Sequence, residues 1–188
     1  TDCGRRPGEW FYSHFTLGGN YRMTEWQGAI LLAQLERFAQ QHRVRNENAL
    51  YLNAELAKLS GVHPQRRDQR TTAQGYYCYV VRIDEAEFGL AREEVKDALA
   101  AEGIPMTASY PTVHTLDAFD AANGFAPRHR DGSRWPRYPL LDLPVSTLTA
   151  ATTLWIKHQV LMGSRDDAAC LIEALAKIRT HANELRDP

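Results

Sequence analysis

Apolar and polar positions alternate along the chain with two periods, and these lay out its elements. From Thr24, apolar residues at Trp26, Ala29, Ile30, Ala33, Leu35 and Phe38 keep near-helical spacing and predict a helix. Thr24 and Gln27 fit a capping box, in which each side chain satisfies a free backbone donor of the other. The run from Gly28 to Ala33 is apolar nearly all round, so this helix is expected to be buried on more than one side. A second helix is expected from about Arg43 to Leu59, with Ala49, Leu50, Leu52, Leu56 and Leu59 on its apolar stripe and Gly61 as its stop.

Tyr76 to Ile83 is rich in aromatic and β-branched residues and predicts a strand. An amphipathic helix follows from about Ala91 to Glu102, closed by Gly103, and then a short strand led by Ile104. Residues 111–147 hold five of the nine prolines and show little period beyond a short helix near Leu116 to Ala121. A third strand is expected near Leu154 to His158. A closing helix then begins at Ser164, whose first turn carries Asp166 and Asp167 where the helix dipole favours them. Residues 1–22 are interrupted by five glycine or proline positions and offer one short strand, Trp10 to Phe15. From Tyr76 onward the order is β-α-β-loop-β-α. This predicts an α/β unit with a small sheet of about three strands covered by helices, its strand directions undecided.

Composition narrows the function classes. The 188 residues carry a net charge of -1, which gives no overall electrostatic case for nucleic acid or an anionic membrane. No apolar run approaches the roughly 18 residues of a membrane helix, and no signal peptide is visible. Cys3, Cys78 and Cys170 form no close pair and read as reduced thiols of a cytoplasmic protein. The lysines are only Lys58, Lys96, Lys157 and Lys177.

Candidate chemistry is sparse. The seven histidines form no HxxxH or HExxH pattern, and no cysteine stands at ligand spacing, so no metal site is expected. The GxSxG, P-loop and GxGxxG patterns are missing from the sequence. Arg128 to Arg134 is a basic loop that reads first as a solvated turn. The stretch Asn20-Tyr-Arg-Met23 is sharper. Asn20 offers neutral donors and Arg22 a planar fork, both just ahead of a helix start that favours anions. An anion site and a plain turn with an Arg22–Glu25 pair both fit these residues. Tyr110 and His114, in Ser109 to His114, stand at the exit of a predicted strand, where substrate groups often sit but ordinary loop packing also occurs.

The segment "GGNYRMTEWQGAILLAQLERF", Gly18 to Phe38, resembles the DegT/StrS family of sugar aminotransferases, in the region that follows the cofactor lysine. Asn20, Tyr21, Arg22, Met23, Thr24, Glu25, Gln27, Ala29, Gln34 and Leu35 match that family's pattern, with Gly28 where alanine is usual. Cys3 to Arg5 and Leu154 to Gly163 look most like the branch of the inosose aminotransferases and 3-amino-5-hydroxybenzoate synthase.

The resemblance implies the C-terminal portion of a fold-type-I, pyridoxal 5'-phosphate-dependent homodimer. Residues 1–23 would end the large cofactor domain, 24–60 would form interdomain helices, and 61–188 the small C-terminal domain. Asn20 would bind the cofactor phosphate in the partner subunit's site, Arg22 would support it, and Tyr110 and His114 would face the substrate. The implied reaction moves an amino group from glutamine or glutamate to a keto-sugar or ketocyclitol. A dehydratase of the same family and a non-catalytic dimerisation or ligand-sensing module are the alternatives. The family's lysine lies in an S-x-x-K segment, and none of the four lysines here fits it, so no catalytic residue is expected in this chain.

Overall fold

The computed structural model describes residues 3–4, 13–14, 21–117, 131–133 and 140–186. The chain divides into two compact units, Thr1–Gln40 and Gln41–Pro188. In the first, β1 (Cys3–Gly4) pairs antiparallel with β2 (Ser13–His14), in a register that matches Cys3 with His14. Of the strand expected over Trp10 to Phe15, only Ser13–His14 belongs to the described residues.

Helix α1 runs without a break from Glu25 to Leu56, 32 residues, in place of the two helices expected. Gln40 to Arg43 lose the apolar stripe, but glutamine and arginine are good helix formers and neither glycine nor proline stands there to stop the helix. Its start is capped as predicted: the Gln27 backbone amide donates to Thr24 Oγ1 at 3.3 Å, and Thr24 N donates to Gln27 Oε1 at 2.9 Å. The expected burial of its first half is not found. Trp26 is 83% exposed, and Ile30, Leu31, Leu32, Leu35 and Phe38 are also open. The second half follows the expected stripe in part: Ala49, Leu52 and Leu56 are fully buried, whereas Leu50 is 51% exposed and Leu59 lies beyond the helix end, half-buried against the core.

The second unit is built on four strands: β3 (Val62–Pro64), β4 (Cys78–Ile83), β5 (Thr107–Ala108) and β6 (Thr153–Lys157). They form an antiparallel sheet in the order β3-β4-β6-β5. The count is four, not about three, because β3 is a Val-His-Pro triplet too short to show a period. Its pairing is nonetheless definite, with Val62 opposite Ile83 and Pro64 opposite Val81. The strand expected from Ile104 narrows to Thr107–Ala108, paired with Trp155 and Leu154.

Strand alternation sets the two faces of the sheet. Tyr79, Val81 and Ile83 of β4, with Leu154 and Ile156 of β6, point into the core. A short helix α2 (Glu85–Phe88) follows β4 and buries Phe88. The core is shared with α1, α3 (Arg92–Ala101) and a long helix after β6, which supply Leu52, Leu56, Val95, Leu99, Leu171 and Leu175. The other face carries Cys78, Val80, Arg82, Trp155 and Lys157, half-buried or exposed.

Further helical segments complete the described part of this unit. They are the 3-10 turn Val113–Thr115, α4 (Pro144–Thr152), the 3-10 turn Val160–Met162, the long helix α5 (Arg165–Thr180) and α6 (Ala182–Arg186). Helix α5 begins as expected at Ser164, whose hydroxyl accepts from Asp167 N while the Asp167 carboxylate accepts from Ser164 N. Of the short helix expected near Leu116 to Ala121, only Leu116 and Asp117 belong to the described residues, and the Val113–Thr115 turn precedes them. Proline at the first position of α4 suits a helix start, where its missing N–H costs nothing. The basic loop Arg128 to Arg134 lies outside the description except for Asp131 to Ser133, where Asp131 Oδ1 accepts from Ser133 N.

Candidate functional site

A cleft of about 450 Å³ opens on the face of the sheet away from the core. Register explains its walls. Cys78 stands opposite Lys157, and Thr107 opposite Trp155, so these side chains project from the same face. Helix α4 leads directly into β6, with Thr153 Oγ1 donating to Thr149 O at 2.8 Å across the junction.

Two anchors fix the chain as it leaves β5. Ser109 N donates to Thr153 O at 3.3 Å, and Ser109 Oγ to Ala150 O at 3.2 Å. They deliver Tyr110 edge-on to Trp155, with ring centroids 4.8 Å apart and planes at 82°. Such a T-shaped pair is favourable beyond the area it buries. Tyr110 is 68% exposed and Tyr77, also at the cleft, is 79% exposed. Thr107, Lys157, His158 and Gln159 supply the polar lining. Burial pushes the Cys78 thiol up, so it is a protonated group and not an anion at neutral pH. The cleft therefore combines apolar ring surface with hydrogen-bonding groups and a lysine cation.

The site residues expected from sequence separate. Tyr110 lines the cleft; His114 is half-buried in the Val113–Thr115 turn and is not among the groups lining it. Arg22 is exposed, two residues ahead of the Thr24 cap. That placement suits an anion met by a guanidinium beside a helix start. Asn20 lies outside the described residues. Sequence reasoning misses Trp155, Lys157 and Tyr77, although Trp155 and Lys157 hold the outward positions of the expected Leu154–His158 strand and so carry a signal.

Elsewhere, His63, Asp84 and Glu87 bring ligand-type atoms within 4.8 Å of one another. Two of the three are already engaged: Arg82 Nη1 donates to Asp84 Oδ2 at 3.0 Å, and Gly61 N to Glu87 Oε2 at 3.1 Å. The Arg82 contact holds the Asp84 carboxyl below its ordinary range. The third member, His63 Nε2, lies 3.7 Å from Glu87 Oε2 and is buried without a hydrogen-bond partner.

The model of the DegT/DnrJ/EryC1/StrS aminotransferase family matches residues 1–155. The chain belongs to that family. A Streptomyces kanamyceticus protein provisionally named L-glutamine:3-amino-2,3-dideoxy-scyllo-inosose aminotransferase is 37% identical over 99% of this chain and 46% of its own length. An L-glutamine:2-deoxy-scyllo-inosose aminotransferase of Streptoalloteichus tenebrarius is 31% identical over 90% of this chain and 41% of its own. Among solved structures, a 3-amino-5-hydroxybenzoic acid synthase is 25% identical with a TM-score of 0.67, over 93% of this chain and 44% of that one. The PMP form of a protein provisionally named a sugar aminotransferase, from Streptococcus pneumoniae, shares the fold at 18% identity and a TM-score of 0.68, over 96% of this chain and 42% of that one. The chain thus spans about half the length of the relatives it matches. Membership of the family places its four-stranded sheet and covering helices within the fold-type-I aminotransferase architecture. Among the described residues, no helix is long and apolar enough to cross a membrane.

Proposed function

We propose that this chain is the C-terminal half of a pyridoxal 5'-phosphate-dependent aminotransferase that moves an amino group from L-glutamine to a ketocyclitol. One observation carries the reading. Nearly the whole chain aligns with a protein named for that reaction, with the Asn20-to-Gln27 motif standing in the chain. When bound, the cofactor supplies the electron sink that lets an amino group leave one carbon skeleton and enter another.

This chain's own residues bind and orient. Arg22 meets the cofactor phosphate with a charge-assisted fork, and Asn20 adds an amide donor from the same loop. Tyr110 orients the substrate from the sheet edge, and His114 stands behind it on the following turn. Residues 1–23 complete the large domain, 24–60 link the domains, and 61–188 form the small one. The open apolar stretch Trp26 to Phe38 fits a homodimer in which a second subunit covers it. The composition and the biosynthetic relatives fit a cytoplasmic enzyme.

A fusion tests this directly. The N-terminal portion of the Streptomyces kanamyceticus relative is joined to Thr1, loaded with cofactor and supplied with L-glutamine and, in separate arms, 3-amino-2,3-dideoxy-scyllo-inosose and 2-deoxy-scyllo-inosose. Formation of the amino-cyclitol is the expected result. A folded, cofactor-loaded fusion that transfers no amino group refutes the reading. The likeness to 3-amino-5-hydroxybenzoic acid synthase favours a dehydration as the second reading. Loss of water from the substrate without gain of nitrogen would select it.

A further inference from the structure

We propose that His63, Asp84 and Glu87 form a binding site for one divalent metal ion of the zinc type, at the corner where β3, β4 and α2 meet. The site stands apart from the amino-transfer reading and does not depend on it.

Three elements bring the ligands together. His63 lies on β3 opposite Arg82 of β4, so both side chains project from the same face of the sheet. Asp84 follows the last residue of β4, and its N–H donates to Gly61 O at 2.9 Å, which closes the end of the β3–β4 pair. Helix α2 begins at the next residue. Glu87 on that helix turns back over the corner, where its Oε2 accepts from Gly61 N at 3.1 Å. One ligand-type atom from each of the three residues then lies within 4.8 Å of the others. His63 and Asp84 stand too far apart in sequence for any ligand spacing to announce them.

The cluster is more than a group of surface carboxylates. His63 Nε2 is shut off from solvent and has no hydrogen-bond partner, and it stands 3.7 Å from Glu87 Oε2. A buried ring nitrogen left unsatisfied is costly, and a cation seated between it and the carboxylates takes up its lone pair. Zinc holds nitrogen and oxygen ligands at about 2.0–2.2 Å, so neighbouring ligands of a tetrahedral site stand roughly 3.3–3.5 Å apart. The His63–Glu87 gap meets that spacing within a few tenths of an ångström, and a side-chain rotation brings Asp84 in. The hydrogen bonds already present do not compete. A carboxylate has room for several partners, so one bond from Arg82 Nη1 and one from Gly61 N leave lone pairs on Asp84 and Glu87 for a metal. Bonds of this kind orient ligating carboxylates in metal sites.

Ligand chemistry chooses the ion. One imidazole with two carboxylates suits zinc, whereas calcium and magnesium prefer shells of oxygen alone. The Glu87 side chain is 52% exposed, which leaves water free to complete the coordination. Because its ligands come from β3, the end of β4 and α2, the bound ion clamps this corner of the sheet.

The test uses the 188-residue chain, labelled with 15N, stripped with chelator and titrated with Zn²⁺, with Mg²⁺ in a parallel arm. The expected result is saturation at one equivalent of zinc, with shifts centred on the amides of His63, Asp84 and Glu87. The melting temperature should rise and fall back on chelation, and magnesium should do neither. His63→Ala and Glu87→Gln remove ligands, so each should weaken binding by no less than the roughly 10- to 100-fold that losing an outer-shell partner costs. His181→Ala, which removes a different histidine–carboxylate pair, should bind like the parent. Co²⁺ in place of zinc should show no thiolate charge-transfer band, since no cysteine belongs to the set. The shifts in the parent chain decide the location even if a variant does not fold. No saturable binding, shifts centred elsewhere, a thiolate band or parent-like affinity in both ligand variants overturns the assignment.

Discussion

Asn48, on α1, donates from its buried side-chain amide to the carbonyl of Leu161 at 3.0 Å, across 113 positions of sequence. The same Nδ2 reaches the Gly163 carbonyl, also at 3.0 Å. One amide thereby ties the core half of α1 to the turn that launches α5. Asn48→Ala removes the donor and leaves both carbonyls wanting partners. Since an unsatisfied buried polar group costs about 1–3 kcal/mol, the variant should lose roughly 2 kcal/mol or more. Urea unfolding gives the value. A loss below about 0.5 kcal/mol, the scale of an ordinary surface substitution, would show that the tie is not structural.

Gly61 and Gly103 form a matched pair for a second test. Both have left-handed backbones, with φ of 80° and 82°. A Cβ on Gly61 would lie 2.4 Å from Phe88 N, whereas one on Gly103 would meet nothing within 4 Å. Both alanine variants carry the left-handed penalty, about 1–2 kcal/mol. Only Gly61→Ala must also displace the backbone at the α2 end. It should therefore be the more destabilised in thermal or urea melts. Equal losses would mean that this close approach relaxes without cost.

Sequence pattern succeeds where a local rule decides the structure and fails where tertiary contact does. The Thr24–Gln27 and Ser164 caps are legible because a cap is satisfied within four residues. Strand β4 is legible from its run of aromatic and β-branched residues. Strand β3 is not, because three residues carry no period and only pairing with Ile83 and Val81 makes them a strand. The continuity of α1 is hidden because the polar stretch from Gln40 to Arg43 reads as a break in the stripe. The cleft is half legible. Tyr110 stands out from its loop position, but its partner Trp155 lies 45 positions on, and only the β5–β6 register joins them. His114, paired with Tyr110 by sequence, falls instead in the 3-10 turn and outside the cleft lining.

Alkaline pH should separate the phenols of the core. Tyr79 is buried and its OH donates to Asn53 Oδ1 at 2.7 Å, while burial pushes its ionisation well above the ordinary value near 10. Tyr76, next to it, is raised for the same first cause. A raised folded value means the stability is complete below about pH 10 and falls as pH rises, because the unfolded chain ionises first. Tyr79→Phe should lower stability at neutral pH through the lost hydrogen bond, yet flatten the decline above about pH 10. Unfolding free energies on either side of that ordinary phenol value check both parts. A slope equal to that of the parent would remove Tyr79 from the alkaline transition.

The last prediction concerns Asn20 in the completed enzyme, and it rests on the Asn20-Tyr-Arg-Met23 motif and the proposed function. A bound phosphate monoester carries close to two negative charges and needs several donors at once. One amide hydrogen bond to such a group is worth about 1.5–3 kcal/mol. Asn20→Ala in the fusion should therefore weaken cofactor affinity roughly ten- to a hundred-fold, since about 1.4 kcal/mol is a factor of ten. Arg22→Ala, made separately, should weaken it as well, because it removes a guanidinium from the same loop. If Asn20 serves the partner subunit's site, subunits with Asn20→Ala should complement subunits whose cofactor lysine is replaced. In the mixed dimer one site carries both lesions and the other carries neither. Cofactor titration by absorbance measures the first effect, and activity of the purified mixed dimer the second. Unchanged affinity removes Asn20 from the phosphate site. A verified mixed dimer that is no more active per lysine-bearing subunit at limiting cofactor than the Asn20→Ala dimer places the asparagine in its own subunit's site instead.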